Sequence, residues 1–170
     1  MKTRIVTEGP DDAEILRSIL GVSNGLIDEI GFRTGIVSAV IATDTILSTS
    51  DDVVILVADA DDDKSKSNEA YVRMLVGKDR ERFKLILLQP EIESLFFSDK
   101  NALEAALGQK IPDMVWEIGM SAPKSTLSAL LGRGKKADFS KLLSSIPLLS
   151  AMRNHPKIKE IQEFAQVAHA

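Results

Sequence analysis

Six consecutive residues, Val53-Val54-Ile55-Leu56-Val57-Ala58, are apolar, and the run passes directly into Asp59-Ala60-Asp61-Asp62-Asp63. An apolar run without alternation is the pattern of a strand covered on both faces, the situation of an inner strand in a parallel sheet. Parallel neighbours are joined by crossovers, nearly all right-handed and mostly helical. This one segment therefore predicts helices on both faces of a sheet. A chain of 170 residues has room for one ordinary domain with one sizeable core.

The rest of the first half fits that plan. Arg4 to Thr7 reads as a short strand ending at Glu8, and Glu8-Gly9-Pro10-Asp11-Asp12 is turn chemistry leading into a helix. Ile15, Leu16, Ile19 and Leu20 recur at helical spacing until Gly21 stops them. Leu26 to Phe32 reads as a second strand. Gly35 to Thr43 is β-branched and would be a strand on propensity alone, but the crossover to Val53 has no other stretch to use, so a helix is expected. A helix from about Asn68 to Val76 and a strand from Phe83 to Leu88 follow, the latter ending in Gln89-Pro90-Glu91-Ile92-Glu93.

Strict alternation of this kind means an α/β fold, a Rossmann-like, mainly parallel sheet of about four strands flanked by helices. The remainder reads as a helical extension, with helices near 92–97, 101–107, 124–131, 139–146 and 157–167. Ser121-Ala122-Pro123 and an exposed loop, Gly132-Arg133-Gly134-Lys135-Lys136, separate them. The expected division is a catalytic core over 1–99 and a helical extension over 100–170 packed on that core.

Composition narrows the chemistry. There is no cysteine and there are two histidines, both late in the chain, so thiol catalysis and cysteine- or histidine-rich zinc sites are excluded, and any metal must be held by oxygen. No apolar stretch reaches membrane-spanning length and the first residues lack a signal-peptide pattern, so the expected location is the cytoplasm, without membrane partners. The net charge of −4 conceals an asymmetry: residues 1–99 carry 19 acids against 11 bases, and residues 100–170 carry 6 against 10. A local basic surface beside an acidic centre is compatible with nucleic-acid binding.

The acids gather where strands end. Glu8 follows the first strand, Asp59, Asp61 and Asp63 the third, Glu91 and Glu93 the fourth, and ligands of open α/β sheets bind outside the carboxyl ends of strands. Carboxylates brought to one rim repel one another and raise one another's pKa unless a cation neutralises them. Mg²⁺ or Mn²⁺ suits such a set, because these ions use a few carboxylates and complete their shell with water and phosphate oxygens.

Thr7-Glu8-Gly9-Pro10-Asp11-Asp12-Ala13-Glu14, taken with Val53 to Asp63, resembles the Toprim domain shared by topoisomerases, bacterial primases and nucleases of the overcoming-lysogenization-defect type. Pro90-Glu91-Ile92-Glu93-Ser94-Leu95-Phe96-Phe97 resembles small Toprim-type nucleases of bacterial phage-defence and mobile-element systems. The resemblance covers roughly residues 3 to 97. It implies a glutamate after the first strand and a DxD motif on the third that together bind Mg²⁺ for phosphodiester chemistry. Glu8 would be a general acid/base or metal ligand, Asp59 and Asp61 metal ligands, Asp63 a third acid, and Glu91 or Glu93 the further acid of a two-metal site, with Asp12 of the Glu-Gly-x-x-Asp turn beside them.

A topoisomerase needs a nucleophilic tyrosine in a strand-passage assembly, whereas the sole tyrosine is Tyr71 and no partner domain fits the length. A primase needs a zinc-binding domain. There is no Walker motif, so an accompanying ATPase would be a separate protein. A nuclease or nuclease subunit acting on DNA or RNA is the reading left. Two alternatives stay open: a haloacid-dehalogenase-like phosphohydrolase, which wants its DxD on the first strand, and a non-catalytic Toprim-like module that positions nucleic acid or a partner.

Positive groups complete the expectation. Lys124, at a helix start where its charge opposes the helix dipole, is a candidate for transition-state charge, as are Lys64 and Lys66 after the acids. Arg133, Lys135, Lys136 and Lys141 form a candidate phosphate-contacting patch. Trp116, Phe96 and Phe97 read as core, His155 as a turn residue and His169 as tail. Apolar C-terminal helices containing Ile146, Leu148, Leu149 and Met152 read as a surface suited to a homodimer or another partner.

Overall fold

The computed structural model describes residues 1–21, 25–60, 81–132 and 135–168, with backbone alone at 135–138. The expected helix at 68–76, Asp61, Asp63, Lys64, Lys66, Tyr71, Arg133 and His169, and the side chains of Lys135 and Lys136, lie outside what it describes.

Four strands form one all-parallel sheet in the order β2-β1-β3-β4, with β1 Thr3–Thr7, β2 Glu29–Phe32, β3 Val53–Asp59 and β4 Phe83–Leu88. The fold is α/β and Rossmann-like. Helix α1, Pro10–Leu20, carries the chain from β1 to β2, and α2, Ile36–Thr49, carries it back across β1 to β3. Those two crossovers run in opposite directions across the sheet, so a common right-handedness puts their helices on opposite faces.

The side chains obey this. Ile5, Ile55, Val57, Ile86 and Leu88 join Ile15, Leu16 and Ile19 of α1 in one core. Val6, Val54 and Leu56 point the other way, onto Ala39, Val40 and Leu47 of α2. The six-residue apolar run is thus explained by alternate residues serving two different cores. The β-branched stretch after Gly35 is helical because that second face has to be covered: its buried positions Ala39, Val40, Thr43 and Leu47 make a stripe at helical spacing. Tertiary demand outweighs strand propensity here.

Strand β2 is shorter than the expected Leu26–Phe32. Ahead of it, Asp28 is tied to β1 by its side chain, which accepts the Thr3 N–H at 2.7 Å. After β4 the chain makes a 3₁₀ segment, Ile92–Ser98, and then helices α3 Lys100–Leu107, α4 Asp113–Ser121, α5 Pro123–Leu131, α6 Lys135–Leu142, α7 Ile146–Arg153 and α8 Pro156–Ala168. One of these, α4, is absent from the sequence reading.

That reading is also corrected at three places. Lys135 and Lys136 open α6 rather than sit in a loop; Lys-Lys-Ala is good helix-forming sequence once past Gly134. The helix expected over 139–146 ends at Leu142, and Ile146 begins α7. The apolar surface expected around Ile146, Leu148, Leu149 and Met152 is mostly interior. Leu148 and Met152 are fully buried in the main core and Leu149 packs against it, which leaves Ile146 exposed. His155 lies between α7 and α8, where its Nδ1 accepts the Lys157 N–H at 3.2 Å.

One sizeable core joins the sheet to the C-terminal helices: Phe96, Leu103, Leu127, Leu148 and Ile158 belong to the same cluster as Ile55 and Ile86. Phe97 seats α4 on this core. Its ring stacks at a tilt on Trp116, with centroids 5.3 Å apart, and fills the space where Gly119 has no side chain. A Cβ at Gly119 would fall 2.0 Å from Phe97 Cε1, a clash that must be relieved by moving the ring or the helix. Because α4 leads directly into α5, this contact also sets where α5 begins.

Gly119→Ala is therefore expected to lower the unfolding free energy by about 1–3 kcal/mol, the usual cost of overpacking, with partial rescue by Phe97→Leu. Chemical denaturation of both variants checks this. An unchanged Gly119→Ala would mean that α4 is not held by this contact.

Candidate active site

With all strands parallel, their carboxyl ends share one rim. The strand order reverses at β1, where the chain departs toward β2 and returns to β3, so the crevice between β1 and β3 is the topological switch point at which such sheets bind ligands. Glu8 directly follows β1, and Asp59 is the last residue of β3.

The two acids meet there. The Asp59 N–H donates to Glu8 Oε1 at 3.1 Å, and the Asp59 carboxylate accepts the Ile92 N–H at 2.8 Å. The acids after β4 reach the same place from the 3₁₀ segment. Ile92 between them is buried in the core, which fixes the Glu91–Glu93 segment against the rim. Glu91 Oε1 accepts the Lys124 N–H at 2.8 Å, capping the start of α5 from another element, and Lys124 Nζ lies 3.4 Å from Glu93 Oε1. Asp12, in the first turn of α1, completes the group: its charge is felt at Asp59 along with those of Glu93 and Glu8.

Among the described residues the electrostatics are those of crowded acids. Burial pushes the Asp59 carboxyl up to about 7, and the neighbouring charges of Asp12, Glu93 and Glu8 add to it, against the opposing hydrogen bond from Ile92. Burial also raises Asp12, with Asp11 adding to it, while Lys124 and the N–H groups of Gly9 and Asp12 pull it back. Glu93 is raised, again by burial first, although Lys124 is beside it. Lys124 is itself held above the ordinary lysine range, chiefly by Glu93 and further by Glu91 and Asp59. Both shifts are consistent: desolvation dominates at the interior carboxylate and attraction at the exposed ammonium. Glu93 Oε2 is buried and has no hydrogen-bond partner.

The other end of β3 provides a control. Asp52, just before the strand, is buried too, but its carboxylate accepts the Lys2 N–H at 2.8 Å and Arg4 Nε at 2.8 Å. The Arg4 hydrogen bond leads the causes that hold Asp52 below the usual carboxylate range. Two acids flank one strand. The one at the amino end is neutralised by an arginine, whereas the one at the rim is surrounded by further acids.

The structure thus brings together Glu8, Asp12, Asp59, Glu91, Glu93 and Lys124. Among the described residues no three acidic or imidazole side chains close a ready-made metal cage. An ion that retains water and takes substrate oxygens does not require one, and the hard oxygen donors of Glu8 and Asp59 are of the kind that suits such a divalent cation. Lys141 is exposed on α6. Missing from the sequence reading are the backbone donors, the N–H groups of Ile92 and Lys124, which have no side-chain signature. The signal that could have found them is the alternating Glu-Ile-Glu, whose central apolar residue has to enter the core. Comparison of the chain with protein-family models, with curated proteins and with solved structures gives no match.

The raised Asp59 carboxyl has a stability consequence with a definite sign. Between its ordinary value of 3.8 and about 7 the folded protein holds a proton that the unfolded chain has released. Stability from this group is therefore fully present below pH 4 and is lost as pH rises to about 7. Asp59→Asn keeps the acceptor for Ile92 and removes the charge. In the absence of metal it is expected to stabilise the protein above pH 7 by on the order of 1 kcal/mol, a figure reduced for the partial exposure of the side chain, and to gain nothing at pH 4. Thermal melts across that range check it. A variant that melts lower than wild type at pH 8 would show Asp59 to be a structural cap.

Proposed function

We propose that this protein is a metal-dependent nuclease, or the nuclease subunit of a larger assembly, that hydrolyses phosphodiester bonds in DNA or RNA with Mg²⁺ or Mn²⁺ in a Toprim-like site. The observation that carries the reading is the meeting of Glu8 and Asp59 at the switch point, where burial and the charges of Asp12, Glu93 and Glu8 push the Asp59 carboxyl up, when the acid at the opposite end of the same strand is held down by Arg4.

A divalent cation held there supplies Lewis-acid polarisation of the phosphodiester and a more acidic water. Glu8 and Asp59 are the residues that would hold it, joined by Asp61 and Asp63 of the same acidic run. The Asp59 carboxyl, near 7 without metal, is poised to give up its proton when a cation binds. The Lys124 ammonium, rooted at the start of α5 and directed at the acids, offsets charge that builds on the phosphate oxygens. The proposed nucleic-acid contacts are Arg133, Lys135, Lys136 and Lys141 of the C-terminal half, with Lys64 and Lys66, which follow the acids in sequence. A separate ATPase or other subunit is the kind of partner this reading accommodates. Cytoplasmic location belongs to the same proposal; no helix among the described residues is long and apolar enough to cross a membrane.

Mn²⁺-dependent cleavage of mixed single- and double-stranded DNA and RNA tests the proposal. Asp59→Ala and Asp61→Ala are each expected to reduce cleavage by at least about 100-fold. Arg133→Ala combined with Lys136→Ala is expected to weaken nucleic-acid binding and to make the salt dependence shallower by about two in log–log slope. Absence of cleavage on every substrate, with nucleic acid still bound, would favour a binding module. An unchanged salt slope would move the nucleic-acid path elsewhere.

A further inference from the structure

The two acids that a two-metal mechanism assigns to the second ion are both already engaged by one residue. Glu91 Oε1 accepts the Lys124 N–H at 2.8 Å, and Glu93 Oε1 lies 3.4 Å from Lys124 Nζ. We propose that Lys124 takes the place of a second metal ion, so that the site binds a single divalent cation on the Glu8–Asp59 side. This inference rests on the metal-dependent reading above.

Three features support it. Glu93 is 7% exposed and its Oε2 has no partner, so a positive charge is required close by, and among the described residues Lys124 is the cation paired with it. Lys124 is also built into the site at its root. Pro123 before it is buried, its own amide is pinned by Glu91, and it occupies the first turn of α5, where a lysine is unfavourable unless acids surround it. Its side chain remains 65% exposed, so the ammonium can turn between Glu93 and a bound phosphate while the backbone stays fixed. A second divalent ion on Glu93 would have to sit against that ammonium, and like charges at such distances disfavour one another strongly. Lys124 is thus a positioning residue for the acids as well as a group that faces substrate.

Calorimetric titration of Mn²⁺ into the metal-free protein tests the proposal, with no activity required. Wild type is expected to bind one equivalent. Lys124→Met, which keeps the apolar stem and removes the charge, is expected to take up a second equivalent at least about tenfold more tightly than any weak second binding by wild type. Lys124→Arg keeps the charge and should restore single-site binding, which a purely packing role would not explain. Glu93→Gln leaves Lys124 in place and guards against a misfolded lysine variant: it should bind the first equivalent within about twofold of wild type, and in combination with Lys124→Met it should abolish the second. Two tight equivalents in wild type, or a loss of about tenfold or more in the first equivalent with Glu93→Gln, would overturn the proposal while leaving the metal-dependent reading intact. No Mn²⁺ binding by wild type at all would overturn that reading itself.

Discussion

A relay of carboxylates and backbone amides holds the acidic rim together. Glu8 receives the N–H of Asp59, Asp59 receives the N–H of Ile92, and Glu91 receives the N–H of Lys124. Each link joins a different pair of elements: β1 to β3, β3 to the 3₁₀ segment, and that segment to α5. Hydrogen bonds to ionised acceptors are among the stronger ones available to a protein, so the rim is ordered by the same groups that give it negative charge. The price of that economy is crowding, visible in the upward displacement of Asp59, Asp12 and Glu93.

Sheet topology makes the relay possible. Crossovers running in opposite directions send α1 to one face and α2 to the other, which opens the crevice between β1 and β3. The C-terminal helices then share the α1-side core, and the Phe97–Gly119 contact fixes α4 so that α5 starts beside Glu91 and Glu93. Lys124, 31 residues beyond Glu93 in sequence, reaches the acids because of that packing, and helical structure beyond residue 99 is thereby part of the candidate site. Asp52 and Asp59, at the two ends of one strand, differ in surroundings: an arginine holds the first below the usual carboxylate range, and burial with the charges of Asp12, Glu93 and Glu8 raises the second.

Much of this was legible in the sequence. The run Val53 to Ala58, the turn after Thr7 and the acids after Leu88 are strong local signals, and they place Glu8, Asp59, Glu91 and Glu93 on one rim by topology alone. Gly35 to Thr43 was readable only through the need for a crossover, since its β-branched residues favour the wrong state. Helix α4 escaped because its signal is weak: it exposes Met114, Ile118 and Met120 and buries little but Gly119. The apolar residues of α7 pointed to a partner surface. Without knowing that α7 packs on α1 and α3, sequence cannot distinguish an interior face from a free one. The amides of Ile92 and Lys124 have no side-chain signature of their own, because every residue except proline has an N–H, and only the alternation of Glu91-Ile92-Glu93 hinted at the first of them.

The account stands on a divalent cation between β1 and β3. Anomalous scattering from a crystal equilibrated with Mn²⁺ measures that most directly. The expected result is one peak with carboxylate oxygens of Glu8 and Asp59 at about 2.0–2.6 Å, the range of hard-cation bonds to oxygen. A crevice without a peak at millimolar Mn²⁺, or a peak bound to Glu91 and Glu93 with Lys124 displaced and Glu8 untouched, would contradict it.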